Sequence, residues 1–312
     1  PRSASAVGEK LPSKINLNLI IEGLYAGISS TALRLETLYP PGNTALPCDG
    51  QVMGCSVLIP LKEGKDMTYR MDEMSWSEFD QRRKETDTIL IPTGAVEIYG
   101  PHLPMGADGI AAMAIAERVA SRTGALVAPL LPLGESSALT CFPGTLTLSR
   151  ETFQTLVNEV FLQLIQYGFK NFLFITGHAG NVDPISYYCR KYQTQFGIRC
   201  GQVDWWRFTN ANGSDVFELS GYMAHGHASE CGTSVMLYLR PELVHMERAE
   251  RVEPAGNAYT DYTDVIRYVP FDAKTPNAII GDATLGTAEK GKQIVEKCVD
   301  RIVSYMKFEF QN

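Results

Sequence analysis

Four short strand-like segments, each too short to be a helix, constrain this chain more than anything else in its sequence: the apolar runs 88–91, 126–131 and 172–175, and the mixed segment 198–203. A run that is apolar without polar alternation reads as a strand buried on both faces. Amphipathic stretches lie between these runs. Residues 110–119 and 183–196 have helical spacing, and the clearest helix comes after Ser149, where Phe153, Leu156, Val157, Val160, Phe161, Leu164 and Ile165 repeat before Gly168 stops the pattern. A further helix over 233–239 is closed by Pro241, and a C-terminal one carries Ile294, Val295, Cys298, Val299, Ile302, Val303 and Met306. Strands alternating with helices predict an α/β fold, a three-layer α/β/α sandwich with a mostly parallel central sheet.

Residues 1–66 differ in character from the rest of the chain. They are rich in Pro, Gly, Ser and Leu, and the text from Met67 looks like a natural start. The expectation is an N-terminal extension over 1–66, an appended leader or a poorly ordered segment, and one complete α/β domain over 67–312; a genuine N-terminal subdomain is the alternative. A net charge of −7 argues against a nucleic-acid phosphate footprint and leaves a small molecule as the expected partner. No apolar run approaches the length of a membrane span, so the expected location is the cytoplasm. Seven scattered cysteines without a CxxC pair support neither a disulfide framework nor a zinc knuckle.

In open α/β sheets ligands bind beyond the carboxyl ends of the strands. The unusual polar clusters of this chain sit there. Run 88–91 is followed by Glu97, Tyr99, His102 and Asp108; run 172–175 by Gly177-His178-Ala179-Gly180-Asn181; run 198–203 by Asp204-Trp205-Trp206 and, past a polar loop, by His225-Gly226-His227-Ala228-Ser229-Glu230. Four of the five histidines fall in these loops beside three carboxylates, a mixed N and O donor set that suits Zn, Mn or Fe. Each residue also has an ordinary reading. Asp108 could be the N-cap of a helix starting at Gly109, Glu97 a surface carboxylate, His178 a hydrogen-bonded loop histidine, and the tryptophans core residues. Glycines 94, 100, 106, 177 and 180 could serve only tight turns. No ordinary reading accounts for their coincidence at consecutive strand ends.

These segments resemble the creatininase (creatinine amidohydrolase) family over about residues 88–295. Glu97 to Asp108 is similar to its E-x-H-G-P-H-L-P-x-x-x-D signature, Phe142-Pro143-Gly144-Thr145 to its F-P-G-T turn, Gly177 to Asn181 to G-H-G-G-N, and His227 to Ser234 to H-A-G-E-x-E-T-S; Gly281-Asp282 with Ala288-Glu289-Lys290-Gly291 is a weaker match. The resemblance implies a divalent metal centre with Glu97, Asp108 and His178 as ligands, Asp108 at the bridging position, and a homo-oligomer, commonly a hexamer. This chain departs from the pattern at Tyr99, where the family has a second ligand histidine, at Gly180, where creatininase has a second-metal glutamate, and at Gly232, which replaces one acidic residue. One or two ions therefore stay open.

The function expected is a metal-dependent amidohydrolase that cleaves a C–N bond of a small cyclic or linear amide with metal-activated water. Glu230 would complete the metal shell or act as general base, while His227 or His102 would donate a proton to the leaving nitrogen or steady the oxyanion. A metal-dependent isomerase or lyase acting on a keto-sugar or polyol acid would use the same residues, and a non-catalytic binding protein would bind no metal.

Overall fold

The structure, a computed structural model, describes residues 68–255 and 269–310. The extension expected over 1–66 lies outside the described residues. A parallel four-stranded sheet forms the centre, in the order β2-β1-β3-β4, with β1 at Thr88–Thr93, β2 at Leu126–Val127, β3 at Asn171–Thr176 and β4 at Arg199–Asp204. Strands β1 and β3 are buried along their whole length, as unbroken apolar runs require. Alternate side chains serve opposite faces. Leu90, Leu173 and Ile175 join one core with helices α2 (Ala107–Thr123), α7 (Glu230–Leu239) and α8 (Ala288–Glu309), whereas Ile89, Ile91, Phe172 and Phe174 join the other with α3 (Arg150–Gln166) and α4 (Val182–Phe196). The expected three-layer sandwich is present. Chain order is completed by α1 (Trp76–Arg82), α5 (Trp205–Asn212), α6 (Tyr222–His225) and a short antiparallel pair, β5 (Arg251–Val252) with β6 (Gly281–Asp282).

Local chemistry explains the boundaries. Ser149 caps α3 by accepting from the Thr152 amide, and Gly124 and Gly197 end α2 and α4 in the left-handed conformation. Helix α1, which the sequence pattern does not predict, starts on a capping box in which Ser75 and Glu78 satisfy each other's backbone amides. The predicted strand 126–131 is shorter than expected: only Leu126–Val127 forms regular ladder, because Pro129 has no N–H to donate, though Leu131 bridges back to Thr93. Helix α7 begins three residues earlier than expected, at Glu230.

Two features matter for the site. Thr93, Thr176 and Asp204 are register partners at the carboxyl ends of β1, β3 and β4, so the three loops beyond them leave from one edge at one level. The helices behind that edge pack at backbone contact, and a Cβ on Gly291 of α8 would stand 1.9 Å from the Ser234 carbonyl of α7. None of the described helices is long and apolar enough to cross a membrane. Gly291→Ala must push α8 off α7, and a loss of at least about 2 kcal/mol in urea unfolding is expected; an unchanged midpoint would refute the contact.

Candidate metal centre

Glycine brings the site together before any charged residue acts. A Cβ on Gly94, just after β1, would lie 2.5 Å from Gly109 Cα, and one on Gly177, just after β3, would lie 2.1 Å from the Asp108 carbonyl. The first turn of α2 is thus seated directly against both strand ends, which only side-chain-free residues permit. Asp108 lies in that turn but caps nothing; the helix already begins at Ala107, and the preceding residue, Gly106, offers no side chain. The capping reading of Asp108 fails for that reason. Gly100 does adopt a left-handed turn, at φ 66°.

Glu97, Asp108 and His178 converge there, all buried, with one potential ligand atom from each inside a 4.8 Å group. His178 Nδ1 stands 3.2 Å from both Glu97 Oε2 and Asp108 Oδ2. Its Nε2 lies 2.8 Å from the Glu135 carbonyl, an acceptor, so Nε2 carries the hydrogen and Nδ1 presents a lone pair to two carboxylates. Either a proton or a cation must lie between such groups. Burial alone would discourage ionisation of Glu97, but a protonated His178 beside it outweighs that and holds this carboxyl below the usual range. Burial and the Glu97 charge push Asp108 up to about 6. Burial opposes the imidazolium form of His178, yet its hydrogen bonds to Asp108 and Glu97 prevail and raise it well above an ordinary histidine.

His227 stands beside the group. Its Nδ1 lies 2.6 Å from the Ala278 carbonyl and must donate, which leaves the Nε2 lone pair 3.5 Å from Glu97 Oε1, buried and without a hydrogen-bond partner. Asp108 Oδ1 is likewise buried and unpartnered. Oriented lone pairs without donors are what a divalent cation satisfies, and imidazole with carboxylate suits Zn, Mn or Fe. The residues present fit such an ion.

The structure does not bring His102 or Glu230 to this group. His102 is fully buried, its Nε2 2.8 Å from Thr233 Oγ1 and its Nδ1 packed against Gly100; burial lowers it to about 4, so it is neutral. Glu230 is fully buried and both its oxygens are occupied: Oε1 accepts from Lys290 Nζ at 2.7 Å and the Glu218 amide at 3.1 Å, and Oε2 from the Leu219 amide at 3.4 Å. Its carboxylate is neutralised by lysine and turned to tying α7 to α8. Residue spacing holds no cue to that pairing, since Lys290 is sixty positions away.

Three more residues hold the group in place. Ser136 Oγ donates to Glu97 Oε2 at 2.6 Å, Glu135 supplies the carbonyl that fixes the His178 tautomer, and the buried Asn181 amide accepts from the Glu135 N–H while donating to the Gly94 carbonyl. Asn181 alone has a signal, as the last residue of the His178 motif. Gly180 is locked: a Cβ there would stand 2.1 Å from the Glu135 carbonyl. Tyr99 is buried, edge-on to His227 at 4.7 Å, and kept protonated by burial and by the neighbouring Asp108 charge. Trp206, the second residue of α5, donates from Nε1 to the Gly177 carbonyl at 2.6 Å. Beyond His227 and Trp206 opens a cleft of about 530 Å³.

Comparison with known proteins bears on the family and the fold. The Creatininase family model, described as creatinine amidohydrolase, matches residues 72–306. Creatinine amidohydrolase of Pseudomonas putida is 30% identical over 256 residues, 76% of this chain and 96% of that protein. Mycofactocin precursor peptide peptidase of Mycobacterium ulcerans is 29% identical, covering 75% of this chain and 90% of the relative, and 3-dehydro-scyllo-inosose hydrolase of Thermotoga maritima is 28% identical, covering 73% and 79%. Among solved structures, a manganese creatininase superposes with a TM-score of 0.67 at 27% identity, and a mutant creatininase of Zn-Zn type with 0.65 at 28%, each over 77% of this chain and 98% of the other. With the motifs, the sheet and the buried Glu97, Asp108 and His178 in agreement, this chain belongs to the creatininase family.

Proposed function

We propose that this protein is a metal-dependent hydrolase of an amide C–N bond, with a single divalent cation held by Glu97, Asp108 and His178. The observation that carries the reading is His178 Nδ1 aimed, as a lone pair, at two buried carboxylate oxygens. One ion is favoured because Gly180 has no room for a side chain and Tyr99 is a protonated phenol where the family pattern has a histidine. The manganese and zinc forms of related structures support a cation of this kind. When bound, such a cation lowers the pKa of water to roughly 7 and polarises a carbonyl.

The protein's own groups position and move protons around it. Ser136 and the Glu135 carbonyl fix the directions of Glu97 and His178, so the donor set is arranged before substrate arrives. His227, its tautomer set by Ala278, offers Nε2 to accept a proton from the attacking water and return it to the leaving nitrogen, with Glu97 Oε1 nearby to steady the imidazolium. This is the role first expected of Glu230, which Lys290 withholds. A second reading, a keto-cyclitol substrate at the same centre, is favoured by the relative named for dehydro-scyllo-inosose hydrolysis.

Metal analysis joined to a panel of cyclic amides, formamides and keto-sugars, with and without chelator, tests these readings. Chelator-sensitive amine release supports the first, chelator-sensitive turnover of a keto-sugar without amine the second, and turnover indifferent to chelator defeats both. His178→Ala is expected to lose the metal. His227→Ala is expected to keep it while kcat falls by roughly 10²–10⁴. Glu230→Gln is expected to retain metal but to cost on the order of 3 kcal/mol of stability by breaking a buried pair; loss of turnover at unchanged stability would restore Glu230 as the base.

The pH dependence is set by the raised Asp108 and His178. Protons and cation compete for the same lone pairs, so lowering pH favours protons. Metal retained in equilibrium dialysis is expected to drop as pH falls, as His178 and then Asp108 take their protons. Retention that rises on acidification would contradict this arrangement.

A further inference from the structure

The cleft beyond His227 is too large for the centre it adjoins. At about 530 Å³ it falls within the range of roughly 300–1,000 Å³ that holds drug-sized ligands, and a single lactam ring would leave most of it to water. Its walls indicate what else it takes. Trp206 and Phe271 face it with rings, and Val182 and Ile280 add aliphatic surface. These rings do not move freely. Trp206 is held by its bond to the Gly177 carbonyl, and Phe271 stands edge-on to His227 at 5.0 Å and to Phe142 at 6.4 Å. Of the charged groups, Arg207 and Asp204 answer each other, Nε to Oδ2 at 3.3 Å, and Asp204 also caps α5 through the Trp206 and Arg207 amides. With the exposed Asp183 the charged lining holds two carboxylates to one guanidinium, so it disfavours an anionic ligand.

We infer that this cleft is a specificity pocket for an uncharged aromatic arm, so that the substrate is an extended amide whose scissile bond lies at the Glu97, Asp108 and His178 centre while an aromatic side chain occupies the space between Trp206 and Phe271. The pocket rests on the amide hydrolase reading and adds the part of the substrate that is not cleaved. Aromatic side chains bury large areas and prefer the edge-on and offset contacts that fixed rings provide. Binding energy gained on such a remote arm is available to orient the reacting amide, so the arm raises kcat/KM rather than affinity alone.

The test uses the metal-loaded full chain and a matched series: acetamide, 3-phenylpropionamide, and arms of the same length ending in carboxylate or ammonium. Hydrolysis is monitored by ammonia release, and binding of each compound by calorimetry. The phenyl arm is expected to exceed acetamide at least about tenfold in kcat/KM and to bind more tightly than either charged arm. Asn210→Trp, on the exposed face of α5 that lines the cleft, should fill it and abolish this preference while acetamide turnover and metal content stay unchanged. Phe271→Ala should reduce the preference without removing metal, a second variant should the first disturb α5. Acetamide hydrolysis with no gain from the phenyl arm, or a gain that survives Asn210→Trp with α5 intact, overturns the aromatic pocket and leaves the hydrolase reading standing. A preference for the carboxylate arm overturns it as well. Metal-loaded protein that binds the phenyl arm at the cleft but hydrolyses none of the series upholds the pocket and defeats the hydrolase reading.

Discussion

The first turn of α2 meets the ends of β1 and β3 at backbone contact, and the site depends on that approach. Gly94 and Gly177 make it possible, since any side chain there would occupy space already filled by Gly109 Cα or the Asp108 carbonyl. A carboxylate in the first turn of a helix lies in the favourable part of the helix dipole. Here it is also stripped of water and placed beside another carboxylate, so its proton affinity rises instead. The fold uses close packing to create an electrostatically unfavourable arrangement. A cation would resolve it.

The outer contacts have the same logic. Hydrogen bonds hold the groups at and around the centre: Ser136 on Glu97, the Glu135 carbonyl on His178, Asn181 bridging the loops after β1 and before α3, and the Ala278 carbonyl on His227. The bonds of Ser136, His178 and His227 use up the donor side of a hydroxyl or ring and leave acceptors facing inward. The buried Glu230 and Lys290 pair shows the opposite treatment of charge. There a carboxylate is compensated by protein and becomes structural, tying α7 to α8.

Much of this is legible in the residues themselves. The apolar runs over 88–91 and 172–175 place β1 and β3, because a strand buried on both faces cannot hide its composition, and Ser149 marks the start of α3. Glu97, Asp108 and His178 can be singled out because each comes after a strand within a recognisable motif. Helix α5 is not visible: Trp205–Asn212 intermixes apolar and polar residues over barely two turns and is stabilised by the Asp204 cap and by Trp205 in the core. Ser136 and Glu135 act through one hydroxyl and one backbone carbonyl, and neither leaves a mark on residue type or spacing.

The sequence alone determined which residues could form a sheet, which could hold a metal, and which family pattern they match, because these depend on local periodicity and on side-chain chemistry. Only the tertiary structure decided which of the candidates meet. Glu230 and His227 are three residues apart, yet one points into a lysine across the α7 and α8 contact and the other into the centre. The left-handed residue between them, Ala228 at φ 52°, turns the chain so that neighbours in sequence face different surroundings. Direction in space is set by the packing of distant elements, and spacing along the chain does not encode it.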